Sequence, residues 1–274
     1  MEKNDPRLLP LLRDQLIKNL KYYFYTGGMP EAVLTFSREK NFEKVRTVQK
    51  RIIADYEDDF SKHINLALGE KVQRLWNSIP AQLSREKKKF VYNDVKPGGK
   101  GRDFKSSLFW LSRCGLIYEV YRVSLPHYPL ASYVEPDHFK LYMLDLGLLS
   151  AMCGLDISAF LEPDPAVFDH FRGALTEQYV LQELKALDDM PVFYWSREGS
   201  ARAEVDFIIQ QRNMVIPLEV KAERNLRAKS LKIFLDTYKP KTAIRSSLAD
   251  FNRDGPLVDL PLYAVSRLQN LLDL

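Results

Sequence analysis

The stretch Ala203-Glu204-Val205-Asp206-Phe207-Ile208-Ile209-Gln210, followed after Gln211-Arg212-Asn213 by Met214-Val215-Ile216-Pro217-Leu218-Glu219-Val220-Lys221, decides the fold. Apolar residues recur at every second position on both sides of a short polar break, the pattern of a β-hairpin with one buried face. Ala203, Val205, Phe207 and Ile209 would face one side with Glu204 and Asp206 on the other, while Met214, Ile216, Leu218 and Val220 oppose Glu219 and Lys221. A turn near Arg212 and Asn213 sets Asp206 across from Glu219, so two carboxylates and an ammonium converge. Facing like charges destabilise a sheet unless something positive lies between them. Mg²⁺, with Mn²⁺ as a substitute, would mediate, since it takes carboxylate oxygens and keeps waters that can act as nucleophiles. Lys221 would then orient or deprotonate the attacking water and stabilise charge on a phosphate. The same residues equally suit the solvent-facing side of an amphipathic hairpin with a cross-strand salt bridge.

The element before the hairpin bears on that choice. Residues 171–187 read as a helix, and at 100° per residue Glu177 falls mid-stripe among Ala174, Val180, Leu181, Leu184 and Leu187. A carboxylate there carries a desolvation cost of roughly several kcal/mol unless it is paired or bound to metal. Arg172 and Lys221 are the candidate counter-charges.

Outward from this core, three strands (192–195, 203–210, 214–221), a basic helix (228–238) and two further strands (242–245, 261–265) give an α/β order in a mixed sheet. Upstream, helices are expected over 8–20 and 41–68, separated by the turn Gly27-Gly28-Met29-Pro30. Residues 71–83 and 103–113 read as two helices, and 116–123 and 139–144 as two strands: helix, turn, helix, strand, long loop, strand is the order of a winged helix. Pro217 cannot donate to a ladder and marks an edge or a bulge. The expected organisation is a helical segment over 1–68, a winged helix over 69–155 and a sheet-containing domain over 156–274.

The 274 residues carry Cys114 and Cys153 in apolar stretches with no CxxC pair, which argues for buried reduced thiols rather than disulfides or zinc. The opening residues show no secretory signal and no apolar run approaches a membrane span, so a cytoplasmic, non-membrane protein is expected. Residues 1–155 hold 25 Lys and Arg against 18 Asp and Glu; the remainder holds 15 against 18. Eight basic residues lie between Arg85 and Lys105, among them Lys100, Arg102 and Lys105, and seven between Lys221 and Lys241, among them Arg224, Arg227 and Lys229. Both clusters suit phosphate contacts, so DNA is the expected partner. They also suit solvated basic faces or, in the winged helix, a docking face.

Glu177, then Asp206, then Glu219-Val220-Lys221 resembles the E…D…ExK signature of the PD-(D/E)XK nuclease superfamily. Over nearly the whole chain, Gly28-Met29-Pro30-Glu31-Ala32, Trp110-Leu111, Gly115-Leu116-Ile117, Lys140-Leu141-Tyr142, Asp145-Leu146-Gly147-Leu148-Leu149, Gly173-Ala174-Leu175-Thr176-Glu177, Ala203-Glu204-Val205-Asp206-Phe207 and Pro217-Leu218-Glu219-Val220-Lys221-Ala222 are similar to the C-terminal half of a group of bacterial and archaeal AAA-type ATPases, a domain of unknown function. The resemblance implies an α/β (α+β) fold: an N-terminal helical segment, a winged helix and a PD-(D/E)XK restriction-endonuclease-like mixed sheet flanked by helices. It implies Glu177, Asp206 and Glu219 as metal ligands, Lys221 as the catalytic lysine, and an AAA-type ATPase domain as a partner in cis or in trans. The chain has no GxxxxGKS or GxxxxGKT loop, so no ATP site is expected in it. The expected function is Mg²⁺-dependent hydrolysis of DNA phosphodiesters; the alternative is an inactive nuclease-fold module that binds DNA or a partner ATPase.

Overall fold

A computed structural model describes residues 12–62, 64–85, 89–161, 169–187, 190–198, 202–222 and 228–272. In chain order the elements are α1 (Arg13–Thr26), α2 (Pro30–Glu39), α3 (Phe42–Lys62), α4 (Leu66–Leu83), α5 (Tyr92–Val95), α6 (Gly101–Arg113), β1 (Ile117–Val123), β2 (Val134–Met143), α7 (Leu146–Met152), α8 (Ser158–Leu161), α9 (Asp169–Ala186), β3 (Val192–Arg197), β4 (Ala203–Gln211), β5 (Met214–Val220), α10 (Lys229–Tyr238), β6 (Ala243–Ser247), β7 (Asn252–Asp254), β8 (Leu257–Pro261) and α11 (Leu268–Leu272). The fold class is mixed α/β: among the described residues, eleven α-helices and one eight-stranded mixed sheet.

Most expected elements are present, and the departures have local causes. The continuous stripe over 41–68 is two helices, because Asn65 caps a new start by accepting from the Leu68 amide at 3.0 Å. Pro30 does more than close a turn: at the first position of α2 its fixed φ and missing N–H suit a helix start. The last strand lies over Leu257–Pro261 rather than 261–265. Asp259 interrupts its apolar run, and a 3₁₀ turn, Leu262–Arg267, follows. Cys114 is exposed, contrary to the expected buried thiol, because it caps the C-terminus of α6. Cys153 is a free, partly buried thiol pushed up to about 12, chiefly by burial.

Two compact units interleave along the chain. One takes in Val120–Phe139, Tyr179–Leu274 and the described part of Met1–Leu20; the other takes in Lys21–Glu119 and Lys140–Gln178. The strand order of the sheet is β2-β1-β3-β4-β5-β6-β8-β7, and the first unit holds β3 to β8 with the Val120–Val123 part of β1 and the Val134–Phe139 part of β2. β3, β4 and β5 form an antiparallel meander, flanked by parallel pairings of β1 with β3 and of β5 with β6. Val123, Leu130, Trp195, Ala203, Val205, Ile208 and Phe234 form a buried cluster that joins α10 to the sheet. Pro217 sits in the sheet interior yet costs no ladder bond to β6, since that pairing begins one residue later, at Leu218.

In the second unit, two of the quoted strings meet. Asp145 caps α7 by accepting from the Leu148 amide at 2.9 Å and also accepts from the Gly28 amide at 2.7 Å. Gly27 adopts φ 69°, and a Cβ on it would stand 2.3 Å from Asp145 Oδ1 and 2.6 Å from the Gly147 nitrogen. Only glycine allows that approach. Around Trp76, fully buried, Val72, Leu75, Ile79 and Phe60 form the helical core of this unit.

Candidate functional site

The hairpin of β4 and β5 pairs Gln211 with Met214 and continues to Phe207 with Leu218, one residue short of Asp206 and Glu219, which stand at the end of this ladder. On its other edge β4 is irregular. Trp195 pairs with Val205 but Phe193 with Ile208, so Asp206 and Phe207 together stand opposite the single Tyr194. This is a β-bulge, a device that re-aims side chains and is over-represented next to active sites. It also breaks the strict alternation expected from Ala203 to Ile209, putting Val205 and Ile208 in one core cluster.

Asp206 Oδ2 accepts from the Val220 amide at 2.8 Å, tying the bulge to the end of β5. Glu219, 4% exposed, accepts from Lys221 Nζ through Oε1 at 2.7 Å. The Lys221 amide donates to the Ser246 carbonyl at 2.8 Å, which fixes the backbone of the lysine against β6. Asp206, Glu219 and Lys221 therefore share one end of the hairpin.

Two further charges, Arg245 and Asp259, extend this row, and reading the sequence alone passed over them. Glu219 pairs with Arg245, and Arg245 with Asp259, across β5, β6 and β8. Directly paired residues share a face, so Glu219, Arg245 and Asp259 form a charged row across β5, β6 and β8. Arg245 donates to Asp259 from Nε at 2.7 Å and from Nη2 at 3.1 Å, a bidentate pair. The available signal was one charge of each sign inside two short apolar runs, Ala243-Ile244-Arg245 and Leu257-Val258-Asp259-Leu260.

Glu177 lies in the other unit. It is 8% exposed, as its place in the apolar stripe requires, and Oε2 accepts from Tyr142 Oη at 3.1 Å with Lys140 Nζ 4.0 Å away. Its counter-charge is thus Lys140, itself fully buried, rather than the expected Arg172 or Lys221. The adjacent Gln178 accepts from the Met143 amide at 2.9 Å and donates to its carbonyl at 2.6 Å, fixing the middle of α9 against the end of β2.

Of the expected nucleic-acid contacts, Lys100, Arg102 and Lys105 are exposed at the start of α6, where the Lys100 amide donates to Asp103 at 2.9 Å. Arg102, Lys105, exposed Phe109 and Arg113 fall on one stripe of that helix. Lys229 is exposed at the start of α10. Arg224 and Arg227 lie outside the described residues.

At this end of the hairpin Asp206 and Glu219 are the carboxylates, among the described residues, that the resemblance offers to a cation. Mg²⁺ is usually held by one or two carboxylates, with waters and phosphate oxygens in the remaining positions, so this pair fits a hard divalent ion beside Lys221. Among the described residues no group of three or more His, Cys, Asp or Glu side chains gathers as a metal site. Nor is any described helix long and apolar enough to cross a membrane.

Residues 17–159, just over half of the 274, match the model of a domain of unknown function, DUF8612. The chain belongs to that family. Beyond the DUF8612 region, residues 172–263 match a second domain of unknown function, DUF4143, which is known to occur in proteins associated with AAA-type ATPases. The DUF4143 match holds α10, the meander of β3 to β5 and all four of Glu177, Asp206, Glu219 and Lys221. No curated protein and no solved structure matches the chain.

Proposed function

We propose that this DUF8612 protein acts on DNA and that Asp206, Glu219 and Lys221 form a metal-dependent phosphodiester-hydrolysing site. The observation that carries the reading is the meeting of Asp206, on its bulge, with Glu219 and Lys221 at one end of the β4–β5 hairpin. Asp206 and Glu219 would hold Mg²⁺, which when bound supplies a water of lowered pKa and charge to balance the phosphate. Lys221 would give up its bond to Glu219 to contact the attacking water or a phosphate oxygen. In the order α9, β3, β4, β5, α10, β6 the elements agree with a PD-(D/E)XK core. Helices α4 to α6, the bridge between Lys89 and Lys140, and strands β1 and β2 agree with a winged helix, whose α6 turns Arg102, Lys105 and Arg113 outward for phosphate contact. The DUF4143 match supports an AAA-type ATPase as the partner.

A second reading has its own support. Asp206 Oδ2 already holds the Val220 amide and Glu219 Oε1 already holds Lys221, hydrogen bonds that a module which binds without cutting would also make. A panel of duplex, single-stranded and branched DNAs incubated with Mg²⁺ or Mn²⁺ separates the two. The hydrolytic reading expects cleavage by the parent, a loss of at least about a hundredfold in Lys221→Ala and Asp206→Ala, and a thermal stabilisation by Mg²⁺ that Asp206→Ala abolishes. DNA binding that survives both substitutions, with no cleavage by the parent, would favour the module.

A further inference from the structure

At the turn end of the β4–β5 hairpin, opposite to the end holding Asp206 and Glu219, the first unit has a cavity of about 240 Å³. We propose that it binds one nucleotide of a single nucleic-acid strand, the base against an aromatic wall and the phosphate on Lys239 and Lys241. Phe234 and Tyr238 from α10 build the wall with ring centroids 4.8 Å apart, and His127 stands edge-on to Tyr238 at 6.0 Å. Tyr128 lines the mouth with 55% of its surface exposed, a flat apolar ring presented to solvent. The volume falls below the roughly 300–1,000 Å³ of sites for drug-sized ligands and suits a single ring system.

Charge selects among flat ligands. Among the described residues no Asp or Glu lines the cavity, whereas Lys239 and Lys241 both do. Both are exposed. Lys239 has φ 46° at the C-cap of α10, a left-handed position usually taken by glycine, and there its side chain joins the rim. An aromatic face beside two cations suits a base with its phosphate, because stacking on an aromatic ring and neutralisation of the backbone are the two terms of single-strand binding. Val215 lines the cavity and Glu219 lies four residues further along β5, about 13 Å at 3.3 Å per residue. One short strand would thus reach from the cavity to the level of the carboxylates. The proposal deepens the DNA reading but does not require hydrolysis.

The test is fluorescence anisotropy of a labelled oligothymidylate with the full chain, in EDTA so that cleavage plays no part, at about 50 mM and 200 mM salt. Tyr128→Ala is expected to weaken binding by about tenfold or more, the worth of one stacked base. Combining Lys239→Gly, which suits the left-handed backbone, with Lys241→Ala should reduce the salt slope by about 0.7, the share of the one phosphate they hold on a single strand. Because binding is read without metal and without cleavage, failure of the hydrolytic reading leaves this one standing. Thymidine 5′-monophosphate should displace the oligonucleotide weakly, and thymidine or inorganic phosphate not at all. Parent-like binding by the Tyr128 and lysine variants, or no binding by the parent at the lower salt, would overturn the proposal; equal affinity for mononucleotide and oligonucleotide would overturn its assignment to a strand.

Discussion

Lys140 and Glu177 are both nearly inaccessible to water, and each makes the burial of the other tolerable. Removing one member of such a pair strands the other charge, at about 3–5 kcal/mol. Urea unfolding should show a loss of that size for Lys140→Met. Glu177→Gln, which can still accept from Tyr142, should lose less, and the double substitution should recover much of the Lys140→Met loss. Additive losses would show that the pair does not act as a unit. Periodicity made the burial of Glu177 legible, since 3.6-residue geometry fixes which face a helical side chain occupies. Its partner was not legible, because Lys140 lies 37 positions away in a strand and no local pattern encodes that meeting. The bulge at Asp206 was hidden for a related reason: it is set by pairing with β3, and strict alternation within β4 gave no sign of it.

Among the elements, the junction of α1, α2 and α7 shows how a short motif acts. One carboxylate, Asp145, serves a helix cap and a loop amide together, and this requires two backbones to approach without side chains between them. Gly27→Ala would put a Cβ inside the Asp145 carboxylate and force the residue to keep a left-handed φ. The backbone conformation alone costs about 1–2 kcal/mol and the disturbed cap about 1 more, so chemical denaturation should report a loss above about 2 kcal/mol. Gly98→Ala is the control: it too has positive φ, but a Cβ there meets nothing within 4 Å, so only the backbone cost should be seen. Helix positions were largely readable from apolar spacing. Their ends were set by Asn65, Pro30 and Asp145, polar or rigid residues whose capping role depends on the amide they meet.

For the whole molecule, chain order and compactness do not coincide. The boundary between the units falls inside α1, β1, β2 and α9, so neither unit is one uninterrupted stretch. The charged hairpin and its α/β setting could be recognised locally, but the entry of β1 and β2 into the same sheet as β3 to β8 could not, because it is a long-range pairing. A fragment of residues 162–274 would lack β1 and leave the edge of β3 open. Such an edge, carrying Tyr194 and Trp195, is a site for association with other chains. The fragment should therefore aggregate in size-exclusion chromatography, and co-expression with residues 1–161 should restore a monodisperse species if strand β1 is what it lacks.

The parallel pairing of Arg122 with Tyr194 has one more implication, for synthesis. Roughly seventy residues must be translated after β1 before its neighbour exists, which at about 5–20 residues per second is a wait of several seconds on the ribosome. During that interval β1 has only β2 beside it, so Ile117, Val120 and Val123, all buried in the finished protein, lack the rest of their sheet, and a chaperone that shields nascent apolar segments would find a substrate there.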